Sequence, residues 1–406
     1  MKKRSDSPVF RLASLVLILH LVAVLAFGTT TKQRKHHRTA VRPAIAHTPT
    51  AKAPAVPIRS VSAQTVHRMG PVAVASAPAP VIAGGPWTQP TYADSTEGDN
   101  VDGEDLDLRR MAVEALGQYN GSVVVVDALT GRVLSMVNQK LALSSGFQPC
   151  STIKVSVALA GLSEKIIDPS NKYRLKGLKI DLTYALAHSN NYYFATMGER
   201  LGFEKVSYYS RLFGYGEKAG LNIPGEKPGH YPMAPPRNGG VGMLTSFGEE
   251  IQQTPLQLAA LMSAIANGGT LYYLQYPRTI EDARNFVPRV KRRLDIEKLI
   301  PIVKPGMRGA VEFGTAHRAR EDGPIAGKTG TCSANHTHLG WFGSFNDVGN
   351  RKLVVVVLLT GGRPAIGPLA AGIAGDLYRR LGEKNYFATR QPMTPATLIS
   401  SQVCCR

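Results

Sequence analysis

The chain has 406 residues, room for one large domain or two ordinary ones, and its 43% hydrophobic content excludes a wholly disordered protein. Four cysteines exclude a disulfide-dense mini-scaffold, and no Cys-x-x-Cys or His-Glu-x-x-His spacing signals a zinc site. The formal charge of +19 favours an anionic neighbour such as a nucleic acid, a membrane surface or an acidic wall polymer, and the lack of a Gly-x-Gly-x-x-Gly or Walker-type loop argues against a nucleotide enzyme.

Lys2, Lys3, Arg4 and Arg11 precede an uncharged apolar run from Leu12 to Phe27. A basic start followed by such a run reads as a signal anchor or a signal peptide over 1–28. Extension to Val9 and Thr31 reaches the roughly 20 residues that a membrane span needs. Residues 29–93 hold nine prolines, eight Lys/Arg and no Asp or Glu. That composition predicts an extended, disordered basic stalk. Seven acids between Asp94 and Asp107 then reverse the sign. The whole of 29–117 is therefore expected to be a linker, acidic near its end.

Folded texture begins near Asn120. GSVVVVDA (121–128) is an apolar strand, Asp127 to Gly131 has turn chemistry, and RVLSMVN (132–138) returns as a second strand. Ser151 to Leu162 reads as a buried helix with Ser151 at its N-cap. Thr254 and Pro255 have N-cap and N1 chemistry for another helix, which Asn267-Gly-Gly269 stops. Three more strands are expected at 324–331, 338–345 and 352–360, followed by a helix from about Gly367 to Leu381. Strands at both ends with helices between imply one α+β domain whose chain ends meet in an antiparallel sheet.

Three short motifs carry chemistry. Ser151-x-x-Lys154 places an amine beside a hydroxyl, because i and i+3 share a helix face. A lysine kept neutral by apolar neighbours such as Val155, Val157 and Leu159 can take the proton of a serine nucleophile. Ser189-x-Asn191 follows a helical stretch. Lys328-Thr329-Gly330-Thr331 lies on a predicted strand, where Lys offers a cation, Thr a hydroxyl, and Gly lets a ligand lie against the backbone. Each motif alone is weak. Together and in this order they form the active-site set of penicillin-recognising serine enzymes.

On these residues the chain resembles the transpeptidase domain of penicillin-binding proteins, the monofunctional class B type above all. GSVVVVDALTGRVLSMVN, FQPCSTIK, TPLQLAALMSAIANGG and the run GMRGAVEFGTAHRAREDGPIAGKTGT with GWFGSF carry the likeness over about 118–382. The resemblance implies a β-lactamase/transpeptidase-like α+β fold: a five-stranded antiparallel sheet flanked by helices, with an all-helical subdomain and a tail over 383–406. It implies Ser151 as the acylated nucleophile, Lys154 as its base, and Ser189 as a proton relay. Asn191, Lys328, Thr329, Gly330 and Thr331 are implied to bind substrate. The backbone N–H groups of Ser151 and Thr331 would form the oxyanion hole.

The implied substrate is the D-Ala-D-Ala end of a peptidoglycan stem peptide, with β-lactams as covalent inhibitors and no metal, cofactor or nucleic acid. A single-pass anchor would place the domain outside the cytoplasm, at the inner membrane, beside other cell-wall synthesis proteins. Cleavage of that segment would instead release it to the periplasm.

The sequence also departs from the family. The span between Lys154 and Asn191 is short, and no pedestal module precedes the domain. Cys150 stands where the family usually has Gly. Because that segment faces the Lys-Thr-Gly strand in the family fold, a Cys150–Cys332 bridge stays open as a possibility. β-Lactamase and D,D-carboxypeptidase remain alternatives, as does a non-catalytic basic wall-binding scaffold. Glu226 is the acid nearest in sequence to where a class A β-lactamase carries its Glu-x-x-x-Asn loop, but that motif is absent.

Overall fold

The computed structural model describes residues 87–388 apart from 168–171, 322, 348 and 350. The expected anchor over 1–28, the basic stretch 29–86 and the tail beyond 388, with Cys404 and Cys405, lie outside the described residues. No helix among the described residues is long and apolar enough to cross a membrane.

The frame is an antiparallel sheet of five strands: β1 (Gly121–Asp127), β2 (Arg132–Val137), β5 (Ile325–Ala334), β6 (Thr337–Asn346) and β7 (Leu353–Gly361). Their order is β2-β1-β7-β6-β5. The first strand of the domain therefore pairs with the last, with Val124 opposite Val356. Valine runs on β1 and β7 suit a sheet covered on both faces, where no alternation with polar residues is required. One face, with Val124, Val126 and Trp341, packs against the helix Pro255–Ala266. The other, with Val123, Val125 and Phe342, packs against the helix Gly367–Glu383. Burying each such side chain contributes about 1.5–3 kcal/mol.

The expected hairpin closes at Gly131, whose φ of 75° suits glycine, while Asp127 Oδ1 accepts the Leu129 N–H at 3.0 Å. Thr254 and Gln257 cap the helix Pro255–Ala266 reciprocally. A helical region built from Lys154–Ser163, Leu182–Ala187, Asn191–Leu201, Phe203–Leu212 and Gly240–Phe247 lies beside the sheet. A small second sheet, β3 (Thr270–Tyr272) with β4 (Val290–Arg293), was not anticipated.

Two expectations are corrected at the domain's edges. Residues 106–116 are not linker but helix, capped by Asp105 and buried through Leu108, Met111, Ala112 and Leu116. The acids before it have structural partners. Asp99 and Glu104 pair with the nearly buried Arg109 at 2.6 and 3.1 Å, and Glu104 also accepts from the Ser135 and Tyr276 hydroxyls. At the other end the helix runs on to Glu383, and Tyr386 donates to Asp105 Oδ2 at 2.6 Å, so the tail's first residues join the domain.

Candidate active site

The nucleophile segment is not the helix N-cap expected for Ser151. Cys150 to Ile153 forms a 3₁₀ turn, and the α-helix begins at Lys154. The cause is local: Cys150 has φ 51°, which turns the chain sharply after Pro149. The Thr152 N–H and hydroxyl both donate to the Pro149 carbonyl, at 3.2 and 2.8 Å, and hold that turn. In a 3₁₀ turn residues i and i+3 eclipse, so Lys154 falls directly over Ser151. The Lys154 Nζ to Ser151 Oγ distance is 2.7 Å. Lys154 is fully buried, whereas Ser151 keeps a little exposure at 8%.

A second element closes over this pair. The helix Leu182–Ala187, capped by Asp181, ends at His188. Ser189 then takes φ 57°, and Asn190 caps the following helix, which starts at Asn191. This break points Asn191 Oδ1 at Lys154 Nζ (2.6 Å), with Ser189 Oγ and its carbonyl each 3.2 Å from the same amine. Tyr193 is core, whereas its neighbour Tyr192 is 68% exposed.

The third wall is β5, the edge strand of the sheet. Lys328 is fully buried and donates to Ser189 Oγ at 2.9 Å and to the Thr329 carbonyl at 3.0 Å. Gly330 passes so close to the nucleophile turn that a Cβ there would sit 2.8 Å from the Pro149 carbonyl oxygen. The Thr331 hydroxyl accepts the Gly367 N–H at 2.8 Å, which leaves its own O–H to donate elsewhere. Next to it, Cys332 forms a disulfide with Cys150, with 5.6 Å between Cα atoms.

Burial dominates the electrostatics. It pushes the Lys154 amine down to about 6, helped by the charge of Lys328, and pushes Lys328 down to about 7. Burial takes both amines out of solvent, and among the described residues no carboxylate pairs with either to offset that loss. The rings of Phe194 and Phe247 lie 5.9 and 5.7 Å from Lys154 Nζ and complete its apolar sheath.

The eight residues singled out in the sequence thus converge from three separate segments. Sequence reasoning missed Thr315, whose hydroxyl lies 2.6 Å from that of Thr329, and Gln148, whose carbonyl accepts the Trp341 indole N–H at 3.0 Å. Both lie in runs that carry the family likeness but outside the three short motifs, and only the fold brings them to the site. Glu226 sits apart with its carboxylate spoken for, accepting the Ala219 and Gly220 N–H groups at 2.8 and 3.0 Å.

The penicillin binding protein transpeptidase domain matches residues 121–379. Stage V sporulation protein D of Bacillus subtilis is 30% identical over 282 residues, 60% of this chain and 43% of that protein. Peptidoglycan D,D-transpeptidase FtsI of Escherichia coli K12 is 24% identical over 331 residues, 67% of this chain and 55% of the relative. The chain spans about half the length of the curated relatives it matches. A crystal structure of Pseudomonas aeruginosa PBP2 in complex with WCK 5153 shares the fold, with a TM-score of 0.59 at 23% identity over 72% of this chain and 80% of that one. Because the domain match covers more than half of the sequence, the chain belongs to the penicillin binding protein transpeptidase family.

Proposed function

We propose that the protein is a serine-type peptidoglycan D,D-transpeptidase that β-lactams inactivate by acylating Ser151. The observation that carries this reading is the buried amine of Lys154, 2.7 Å from Ser151 Oγ and held down to about 6. A neutral amine has one lone pair and two N–H bonds. The lone pair takes the Ser151 proton, while the N–H bonds engage Asn191 Oδ1 and Ser189.

In the acylation step Ser151 Oγ bonds to the carbonyl carbon of the penultimate D-Ala as its proton passes to Lys154. The Ser151 and Thr331 N–H groups receive the oxyanion. Collapse breaks the amide, and Ser189, between the two lysines, relays a proton to the departing D-Ala amine. Lys328, Thr329 and Thr331 hold the substrate carboxylate, Gly330 gives it access to β5, and Asn191 contacts its amide. An amine of a neighbouring stem then attacks the ester, forming the cross-link and returning the proton to Ser151.

The N-terminal apolar segment would anchor this domain at the membrane, facing the wall with other cell-wall synthesis proteins. The test is intact-protein mass spectrometry after incubation with benzylpenicillin. A stoichiometric adduct that maps to Ser151 and vanishes in Ser151→Ala is expected. Labelling of another serine in that variant overturns the assignment.

A further inference from the structure

We propose that the Cys150–Cys332 disulfide is a redox-sensitive strap that positions Ser151 for acylation, so that a dithiol reductant slows the enzyme. The proposal rests on the acyl-enzyme reading above. One end of the bond is the residue before Ser151, and the other is the residue after Thr331. The strap therefore joins the nucleophile turn to the strand that forms the opposite wall of the cleft.

Backbone conformation gives the strap work to do. Cys150 sits at φ 51°, in the left-handed region that a side chain disfavours and glycine adopts readily. Ser151 inherits its place from that torsion. With the Cys150 side chain tied to Cys332, the residue cannot relax to a negative φ without dragging β5 along. β5 is an edge strand, paired to β6 alone, so its cleft side has no ladder to hold it. Cut the strap, and both the turn and the strand's Cys332 end gain freedom at the distance where Gly330 now meets Pro149.

The bond is also reachable from one side. Cys150 is fully buried, but Cys332 is half-buried and lines a cleft of about 670 Å³ with Gln148, Phe247 and Glu249. The thiolate of a dithiol entering there bonds to Cys332 Sγ and breaks the Sγ–Sγ bond, whose electron pair leaves on Cys150 Sγ and takes up a proton. The reagent's second thiol then displaces Cys332, leaving two protein thiols and an oxidised reagent.

The test measures the rate of acylation by a fluorescent penicillin in the oxidised protein, after dithiothreitol, and after reoxidation, with alkylation mapping at Cys150 and Cys332. A reversible slowing of tenfold or more on reduction is expected, and the same slowing in Cys332→Ala. Cys150→Gly combined with Cys332→Ala should recover most of the lost rate, because glycine holds a positive φ without a strap. Urea midpoints of the same variants separate positioning from general stability, because glycine at a positive φ also relieves backbone strain in the folded state; a rate that merely tracked the midpoint would overturn the proposal. Equal rates in oxidised and reduced protein, or no rescue by glycine, overturn the proposal alone. No adduct in any form overturns the acyl-enzyme reading and the proposal with it.

Discussion

Lys154 and Lys328 converge on one oxygen: Ser189 Oγ lies 3.2 Å from the first amine and 2.9 Å from the second. Two buried cations cannot comfortably share a neighbour, so the arrangement disfavours protonation of both at once. That repulsion, added to burial, is what holds Lys154 near 6. It follows that acylation should rise with pH through about 6, as Lys154 loses its proton. A rate profile of penicillin capture checks this, and a midpoint near 10 would contradict it.

Lys154→Arg replaces the neutral amine with a permanent cation and removes the base, because guanidinium does not give up its proton near neutral pH. Acylation should fall by roughly 10²–10⁴-fold, the usual worth of a positioned base. Stopped-flow acylation kinetics decide the matter, and a variant within threefold of wild type would exclude Lys154 as the base.

The same depressed values predict a pH-dependent stability. Unfolded, each lysine binds a proton up to its ordinary 10.5; folded, they release it above about 6 and about 7. Between pH 7 and 9 the unfolded state therefore holds more protons, and stability contributed by these groups rises with pH, by up to about 1.4 kcal/mol per unit for each. Comparing urea midpoints of wild type and Lys154→Met across that range isolates the term. The variant should show the shallower rise.

Gly330→Ala should nearly abolish penicillin capture. The new methyl would meet the Pro149 carbonyl, so the nucleophile turn and β5 must separate, at an overpacking cost of about 1–3 kcal/mol. Circular dichroism showing a folded variant, paired with at least a tenfold loss of acylation, is the expected outcome. Full labelling of a folded variant would argue that substrate does not need this contact.

Once formed, the penicilloyl ester should persist for minutes or longer. Among the described residues no carboxylate bonds to Ser151, Lys154 or Ser189, and Glu226 is held by two backbone N–H groups instead. A chromogenic cephalosporin should give a one-turnover burst and then a nearly flat trace. Glu226→Gln should leave that trace unchanged while lowering Tm, by removing charged hydrogen bonds from a buried loop. Sustained turnover of tens per second would identify a β-lactamase instead.

How far the sequence reveals the protein depends on the range of the interaction. The valine runs of β1 and β7 and the Thr254–Pro255 cap were legible because pattern and capping are local. The three motifs were legible because each keeps a fixed spacing. The 3₁₀ turn at Ser151 was not, since only the positive φ at Cys150 separates it from a helix start. The acids between Asp94 and Asp107 look solvated in sequence, yet Asp99 and Glu104 bury themselves against Arg109, a partner that only folding brings near. Thr315 likewise becomes part of the site through a contact with Thr329 that no periodicity encodes.

The pairing of β1 with β7 sets an order of events during synthesis. Most of the domain's length separates these two strands, a topology of high contact order that folds slowly. Ser151 leaves the ribosome well before the strand bearing Lys328 and the central strand that completes the sheet. A half-made chain thus carries the serine without the wall that desolvates its base, and reactivity arrives only when the last strand docks.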